Sequence, residues 1–322
     1  MRYRGLQLRR VPVWAWRVLM ANLAPGERRR FNRDPIQSVD YHLDIDYAGD
    51  DAKAHRLDVM SPKACADRPS GNTLPVYVYF HGGGWTSGDK SALTKYCASQ
   101  AAAGMVVVNA NYRMATRFRM RDMLQDAASV VDWVNARVAD YGGDARRIVL
   151  GGDSAGGQIA ALLAASASNQ ELADHYGLTN RLVHRIVGVV QHCSAVDFSV
   201  MLERGFILSL SFVRMLLPGN GRGLELGAAS RFLSPIEWLT PRFPPVFVTT
   251  SEQDPFYRAN LNFIERLRLR GVPVDTLVYD RSAHNTRHTW QQDYRYPESQ
   301  EVYRRLQEFV YRVAGTHTHA VA

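Results

Sequence analysis

The sequence predicts an α/β fold built on one mostly parallel, eight-stranded sheet that is flanked by helices. From Tyr41 onward, short β-rich runs alternate with helix-period apolar stripes, and several runs are nearly continuous in Val, Ile, Leu or Tyr. Strands that alternate with helices form parallel sheets, because each helix carries the chain back across one face. The predicted strands are 41–47, 55–60, 75–81, 105–112, 147–151, 185–192, 245–250 and 272–279.

Three long apolar stripes at helical spacing predict core-facing helices between or after these strands. Gly142-Gly143 and Gly271 stand where two of these helices should end before the next strand. The stripes are Met123 to Val138, Leu261 to Leu267 and Val302 to Val313.

Composition is typical of a folded protein, since 46% of the 322 residues are apolar and 22% are charged. Arg17 and Arg214 interrupt the two longest apolar stretches, so no stretch reaches the ~18 apolar residues of a transmembrane helix. The cysteines, at positions 65, 97 and 193, are odd in number and far apart. They indicate no disulfide framework and favour a reducing compartment, so a cytoplasmic location is expected.

The basic excess belongs to an N-terminal arm. Residues 1–33 contain nine Arg and one acid, Glu27, and thus carry the whole net charge of +8. A basic groove across the folded body is not implied, and nucleic acid is not an expected partner. For the arm, a secretory signal is disfavoured because Arg17 interrupts its apolar part. Packing on the rest of the protein is favoured, and peripheral contact with an anionic lipid surface stays open.

Two segments break the alternation of strands and helices. They are the N-terminal segment 1–40 and the insertion 194–244, which is apolar early and Gly-rich later. An insertion of this length suggests a lid, and an extra packed helix without a role at a site is the alternative. The core is then 41–193 together with 245–315, and 316–322 is expected to be a flexible tail.

The first chemical motif is Gly152-Asp153-Ser154-Ala155-Gly156, which directly follows a predicted strand and precedes a helix-like run. A sharp turn between strand and helix needs residues without side chains at its flanks, and it leaves the serine hydroxyl exposed. Ser154 is therefore the predicted nucleophile. A Gly-rich turn with a capping serine is the structural alternative.

The second motif is His81-Gly82-Gly83-Gly84-Trp85, which also follows a strand. Consecutive glycines let backbone N–H groups approach a developing oxyanion without obstruction by a Cβ. Gly83 and Gly84 are the predicted donors, with the N–H of Ala155 as a third. A phosphate cradle is disfavoured because no Walker lysine or dinucleotide-binding spacing follows.

Acid and base candidates follow the last two strands. Asp254 comes after 245–250 and His284 after 272–279, so both should reach the sheet edge that carries Ser154. The order Ser, Asp, His is that of α/β-hydrolases. His288 stays open as a rival base, and Asp197 and Asp280 stay open as rival acids. A metal site is not predicted, since His284 and His288 lack the Glu of a zinc-binding HExxH motif.

These motifs resemble the bacterial hormone-sensitive-lipase-like esterases, the family IV carboxylesterases of the α/β-hydrolase superfamily. The resemblance rests on HGGGW at 81–85 and GDSAGG at 152–157, with support from Asn111-Tyr112-Arg113 and Tyr141-Gly142-Gly143-Asp144. It implies an α/β-hydrolase fold with a helical cap formed by the arm and the insertion.

The resemblance further implies a serine carboxylesterase for short to medium acyl esters that needs no cofactor. Ser154, His284 and Asp254 would form the triad, with an acyl-enzyme intermediate. An amidase or arylformamidase with the same triad stays open, and a ligand-binding protein without catalysis is less favoured. The expected substrate-binding residues are Trp85, Asp153, Phe206, Phe212 and Leu216.

Overall fold

The fold is an eight-stranded, mostly parallel sheet, as predicted from the sequence. The computed structural model describes residues 11–63, 73–178, 186–203 and 206–315. In space the strands follow the order β1-β2-β4-β3-β5-β6-β7-β8. Strands β1 to β8 span Val39–Asp46, Arg56–Pro62, Leu74–Phe80, Val106–Ala110, Gly143–Asp153, Ile186–His192, Val246–Ser251 and Val274–Tyr279.

Parallel pairing brings the carboxyl ends of the central strands to one edge. Strands β1, β2 and β4 pair antiparallel, whereas β4, β3, β5, β6, β7 and β8 pair parallel. Gly152 of β5 lies opposite Phe80 of β3 and Gln191 of β6, which aligns the ends of these strands. The loops after β3, β5, β7 and β8 therefore meet at this edge, where open α/β sheets bind ligands.

Helices cover both faces of the sheet, and β3 shows how its residues divide between them. Val76, Val78 and Phe80 belong to one buried cluster and Tyr77 and Tyr79 to the other, because successive strand residues point to opposite faces. Helices α3, α4 and α9 pack in the first cluster, and α2 and α10 pack in the second. Helices α1 to α10 span Val13–Phe31, Thr94–Ala102, Met120–Arg137, Ser154–Ser166, Gln170–Tyr176, Ser199–Leu202, Leu210–Leu216, Leu226–Ser230, Tyr257–Leu269 and Pro297–Val313.

The arm and the insertion contact each other. The N–H of Val11 donates to the carbonyl of Ile207 at 2.9 Å, and the carbonyl of Val11 accepts from the N–H of Ser209 at 3.3 Å. Trp16 of α1 packs edge-on against Phe212 of α7, with ring centroids 6.3 Å apart. The division into core, arm and cap stays a prediction, and the predicted tail 316–322 lies outside the described residues.

Two further expectations concern membranes and cysteines. Among the helices of the described ranges, none combines the length and the apolar character that crossing a membrane requires. Cys97 and Cys193 are free and buried, while Cys65 lies outside the described residues.

Candidate active site

Ser154 stands at a sharp turn between β5 and α4. Its backbone φ is +52°, in the left-handed region that residues with a side chain rarely occupy. The flanking glycines make the turn possible: a Cβ on Gly152 would lie 2.4 Å from the carbonyl carbon of Gly156, and a Cβ on Gly156 would lie 2.0 Å from the carbonyl oxygen of Phe80. The local sequence thus forms the predicted nucleophile-elbow geometry.

The hydroxyl of Ser154 is the first member of a hydrogen-bonded chain of three side chains. Ser154 Oγ lies 3.1 Å from His288 Nε2, and His288 Nδ1 lies 3.1 Å from Asp254 Oδ1. Asp254 Oδ1 also accepts the N–H of Phe256 at 2.7 Å, which fixes the carboxylate at the end of β7. With Nδ1–H donating to Asp254, Nε2 is left to accept the proton of Ser154.

His288, not the predicted His284, occupies this position, and this corrects the sequence prediction. Ser251 Oγ donates to the carbonyl of Thr286 at 2.6 Å, and the Gln253 side chain donates to the carbonyl of Ala283. These bonds tie the loop after β8 to the end of β7 and turn its later part inward. His284 is exposed as a result.

The sequence prediction chose His284 because it is the first histidine after the last strand. The spacing of His288, which comes nine residues after Tyr279, carries no local signal, because the bonds from Ser251 and Gln253 that place it are distant in sequence. Only the presence of a second histidine in the same loop pointed to it.

The two rival acids lie elsewhere. Asp197 accepts from Ser199 Oγ at 2.6 Å and from the Asn262 amide at 2.7 Å. Asp280 is exposed and accepts from the backbone N–H of Ser282 at 2.8 Å. Of the three carboxylates that the sequence left open, Asp254 is the one beside the histidine.

The carboxylates around His288 raise its pKa. Burial would lower the pKa of this imidazole, but the charge and hydrogen bond of Asp254, with the charge of Asp153, outweigh burial. The Asp254 side chain is 0% exposed and that of His288 is 29% exposed. The carboxylate of the pair is therefore shielded from solvent, whereas the imidazole ring lines the cavity and can contact a molecule there.

The glycine loop after β3 lines the same cavity as Ser154. Gly83 has φ +123° and Gly84 has φ +61°, and a Cβ on Gly83 would lie 2.1 Å from the carbonyl oxygen of Ser87. The Gly83 carbonyl accepts Ser87 Oγ at 2.6 Å, the N–H of Ser87 at 3.2 Å and Trp16 Nε1 at 3.4 Å. The opposite end of that peptide unit, the Gly84 N–H, must then point away from these donors.

The N–H groups of Gly83, Gly84 and Ala155 have no hydrogen-bond acceptor among the residues that the structure describes. Ala155 lies in the first turn of α4, where backbone N–H groups lack a partner within the helix. The positive end of the helix dipole is also directed there. Such unpaired donors beside a hydroxyl can bind an anionic oxygen.

Asp153 supports the loop and also lines the cavity beside Ser154, and its assignment as a substrate-binding residue stays a prediction. The side chain is 1% exposed, and Oδ1 accepts Tyr79 OH at 2.7 Å and the N–H of Gly82 at 3.1 Å. Oδ2 accepts Gln292 Nε2 at 3.0 Å. Both carboxylate oxygens of Asp153 thus accept hydrogen bonds from protein groups, and the bond from the Gly82 N–H orients the glycine loop.

A cavity of about 1100 Å³ opens beside Ser154 and His288. Its wall includes one face of α1, with Trp16, Met20 and Ala24, as well as Leu43 of β1. These residues are not among the predicted substrate-binding residues, although the resemblance implies a cap that includes the arm.

The remaining predicted substrate-binding residues do not line this cavity, which corrects those assignments. Trp85, Phe212 and Leu216 are at most 1% exposed, and Phe206 packs against the Phe256 ring with centroids 5.5 Å apart. Trp85 Nε1 donates to Gln158 Oε1 at 2.6 Å. All four belong to the main apolar cluster, where their size and apolar character serve packing.

One group of side chains has the composition of a metal site. The ligand atoms of Cys193, Asp254 and His288 lie within 4.8 Å of one another. Burial raises the pKa of the Cys193 thiol well above its usual value, and the thiol form is a poor metal ligand. Both nitrogens of His288 already lie in hydrogen bonds, so these residues are better suited to the Ser154 chain.

Comparison with known proteins gives the same fold. The chain is 29% identical over 210 residues to carboxylesterase NlhH of Mycobacterium tuberculosis, covering 63% of this chain and 64% of that protein. It is 27% identical over 262 residues to esterase LipQ of the same species, covering 79% of this chain and 57% of that protein. The chain thus spans less than two thirds of these curated relatives.

Among solved structures, esterase B of Lactobacillus rhamnosis superposes with a TM-score of 0.81 at 21% identity, over 94% of this chain and 95% of that one. A family profile described as alpha/beta hydrolase fold matches residues 77–288, which include Ser154, Asp254 and His288. The matched segment is more than half of the chain, and its motifs are those that predicted a hormone-sensitive-lipase-like protein. The chain therefore belongs to this alpha/beta-hydrolase family.

Proposed function

We propose that this protein is a serine carboxylesterase. The main support is the pair of hydrogen bonds that connects Ser154 Oγ through His288 to Asp254 beside a cavity. Both contacts are 3.1 Å long. The names of its relatives, a carboxylesterase and an esterase, support the same reaction class. A protein that only binds a ligand would not need this arrangement.

In the first half of the reaction, Ser154 Oγ attacks the carbonyl carbon of the ester. His288 Nε2 takes the hydroxyl proton as the new C–O bond forms, and Asp254 stabilises the imidazolium. His288 then gives this proton to the alkoxide oxygen as the ester C–O bond breaks. The alcohol leaves, and the acyl group stays on Ser154.

The carbonyl oxygen becomes negatively charged in the tetrahedral intermediate. The N–H groups of Gly83, Gly84 and Ala155 would stabilise this charge, because they have no hydrogen-bond acceptor among the described residues. Removal of one such donor typically reduces turnover by ~10²–10³-fold.

In the second half, water attacks the acyl-enzyme. His288 Nε2 removes a proton from the water as its oxygen bonds to the acyl carbon, and it returns that proton to Ser154 Oγ as the acyl bond breaks. The carboxylic acid leaves, and the serine is regenerated. These steps use only groups of this chain and water.

The cavity has room for a small-molecule ester. Pockets for small molecules typically enclose roughly 300–1000 Å³, and the space here, about 1100 Å³, lies slightly above that range. Trp16, Met20, Ala24 and Leu43 give it an apolar wall beside α1. Short to medium acyl chains fit such a wall better than a large polar group.

Covalent labelling tests the proposal. A fluorophosphonate should label the wild-type chain and the Ser99→Ala variant, whose serine lies on α2 outside the cavity wall, but should not label Ser154→Ala. p-Nitrophenyl esters of increasing acyl length should be hydrolysed, with a decline at long chains. Faster cleavage of matched anilides would instead favour an amidase, and an unlabelled wild type would refute a serine hydrolase.

A further inference from the structure

Helix α1 exposes an unusual amount of apolar surface. Trp14, Val18, Leu19 and Leu23 are 71%, 57%, 48% and 45% exposed. They are four of the ten large apolar side chains that are exposed in the described part of the chain. Single exposed apolar residues are common on protein surfaces, whereas a concentration on one helix indicates a binding surface.

The side of α1 that carries Trp14 and Val18, its outer face, is distinct from the side that covers the active site. At 3.6 residues per turn, Trp14, Arg17 and Val18 share one side of α1, while Trp16 and Met20 project from the other side. Trp16 and Met20 line the cavity. The packing of α1 on the protein therefore accounts for its inner face and leaves the apolar outer face without a partner among the described residues.

Positive charge surrounds this apolar face. Arg17, Arg28 and Arg29 are exposed and form no ion pair with a described carboxylate, whereas Arg30 is paired with Asp293 at 2.7 Å. Four further arginines precede α1 in the sequence, and Glu27 is the single acid in residues 1–33. Trp and Leu next to Arg is the side-chain chemistry that binds the boundary between anionic headgroups and acyl chains.

The same helix borders the mouth of the cavity. Arg28, Arg29 and Lys53 are exposed and also line the cavity, so they stand at its rim. Leu43, which is 55% exposed, lines the cavity as well. A flat anionic surface that meets the outer face of α1 would thus lie beside a basic rim, and the cavity would open near that surface.

We propose that the outer face of α1 docks on anionic lipid surfaces. Trp14 and Val18 enter the headgroup region, and Arg17, Arg28 and Arg29 contact lipid phosphates. An ester that partitions into lipid would then reach the cavity from the surface that holds the protein. Docking itself does not depend on the proposed esterase activity, because it needs no chemistry at Ser154.

Vesicle sedimentation with the full-length chain tests the docking face. The chain should pellet with vesicles that mix phosphatidylglycerol into phosphatidylcholine, and much less with phosphatidylcholine alone. The double variant Trp14→Ser/Val18→Ser should lose about tenfold in partitioning to the anionic vesicles, because two apolar contacts are removed. Leu269→Ser is the matched control: Leu269 is 74% exposed on α9, and its variant should bind like the wild type.

A charge reversal gives a second, independent variant. Arg17→Glu replaces one exposed side chain, and it should weaken anionic binding while leaving circular dichroism unchanged. Hydrolysis of a water-soluble ester should be unaffected in all these variants, which separates failed docking from failed catalysis. Equal pelleting of the wild type and both variants would refute the proposal. So would a wild-type dimer, seen by light scattering, that ignores vesicles and dissociates in the double variant, since the face would then bind a second copy.

Discussion

Ser154 and His288 lie 134 positions apart in the chain, and their side chains meet at 3.1 Å. The elbow at Ser154 is defined by contiguous residues, whereas His288 is delivered by a loop that Ser251 holds through the carbonyl of Thr286. The base is therefore the part of the site that depends most on tertiary contacts.

Replacing His288 should abolish activity, and replacing His284 should not. We expect His288→Ala to lower kcat by roughly 10⁴–10⁶-fold, because the serine loses its general base. His284→Ala removes an exposed imidazole from the same loop and should stay within about twofold of the wild type, so it is the matched control. Steady-state hydrolysis of a p-nitrophenyl ester measures both. A larger loss in His284→Ala than in His288→Ala would contradict the assignment of the base.

The raised pKa of His288 should set the acid limit of activity. The imidazole must be neutral to accept the Ser154 proton, so kcat/KM should fall as the pH drops through the pKa of His288, which lies above its ordinary value of 6.5. A full profile of kcat/KM against pH measures this limb. An acid limb centred below pH 6.5 would count against the proposed role of Asp254.

Removing the carboxylate of Asp254 should change the pH at which kcat/KM falls on the acid side. We expect Asp254→Asn to shift it to lower pH and to reduce kcat by ~10³–10⁴-fold, because the imidazolium loses its anionic partner. Asp280→Asn removes an exposed acid and should change neither quantity. The comparison of the two profiles shows whether the charge next to the ring is the cause.

Ser87 should act as a positioning residue for the glycine loop. Its hydroxyl donates to the Gly83 carbonyl at 2.6 Å, and that bond orients the peptide whose other end is the Gly84 N–H. Ser87→Ala should lower kcat by about tenfold, the equivalent of one hydrogen bond, with little change in KM. Ser99→Ala removes a similar bond to a carbonyl on α2, at 2.8 Å, and should leave kcat unchanged. An increase in KM alone would assign Ser87 to substrate binding instead.

The elbow should tolerate no side chain at Gly156. A Cβ there would lie 2.0 Å from the Phe80 carbonyl oxygen, so we expect Gly156→Ala to reduce the free energy of unfolding by about 3 kcal/mol or more. Gly26→Ala places its methyl group on α1 with nothing within 4 Å, and it should raise that free energy by up to about 1 kcal/mol. Urea unfolding of both variants checks the contrast. Equal stabilities would mean that the backbone at the elbow can relax.

Sequence reasoning succeeded where the physical determinant is local. Each of the eight predicted strands corresponds to an observed strand, because strands buried on both faces need continuous apolar runs. The turn at Ser154 and the loop at Gly83 were also predicted, since glycine is required wherever a Cβ would collide with the backbone.

It failed where a side chain can serve two environments. Phe212 and Leu216 suit the wall of a pocket and the interior of a core equally well, and the structure buries them. Asp153 lies next to the nucleophile and lines the cavity, but its bonds with Tyr79 and Gly82 could not be predicted, because these partners are more than 70 residues away in sequence. No property of the residue itself distinguishes these alternatives.

The hydrogen bonds of Val11 with Ile207 and Ser209 join the arm to the insertion. If α1 moved away from the rest of the protein, the segment before α7 would be displaced with it. Trp16 would then lose its hydrogen bond to Gly83 and its ring contact with Phe212. A variant that begins at residue 34 would therefore lack one wall of the cavity and would expose an aromatic cluster. It should aggregate or bind hydrophobic dyes even if its sheet remains folded.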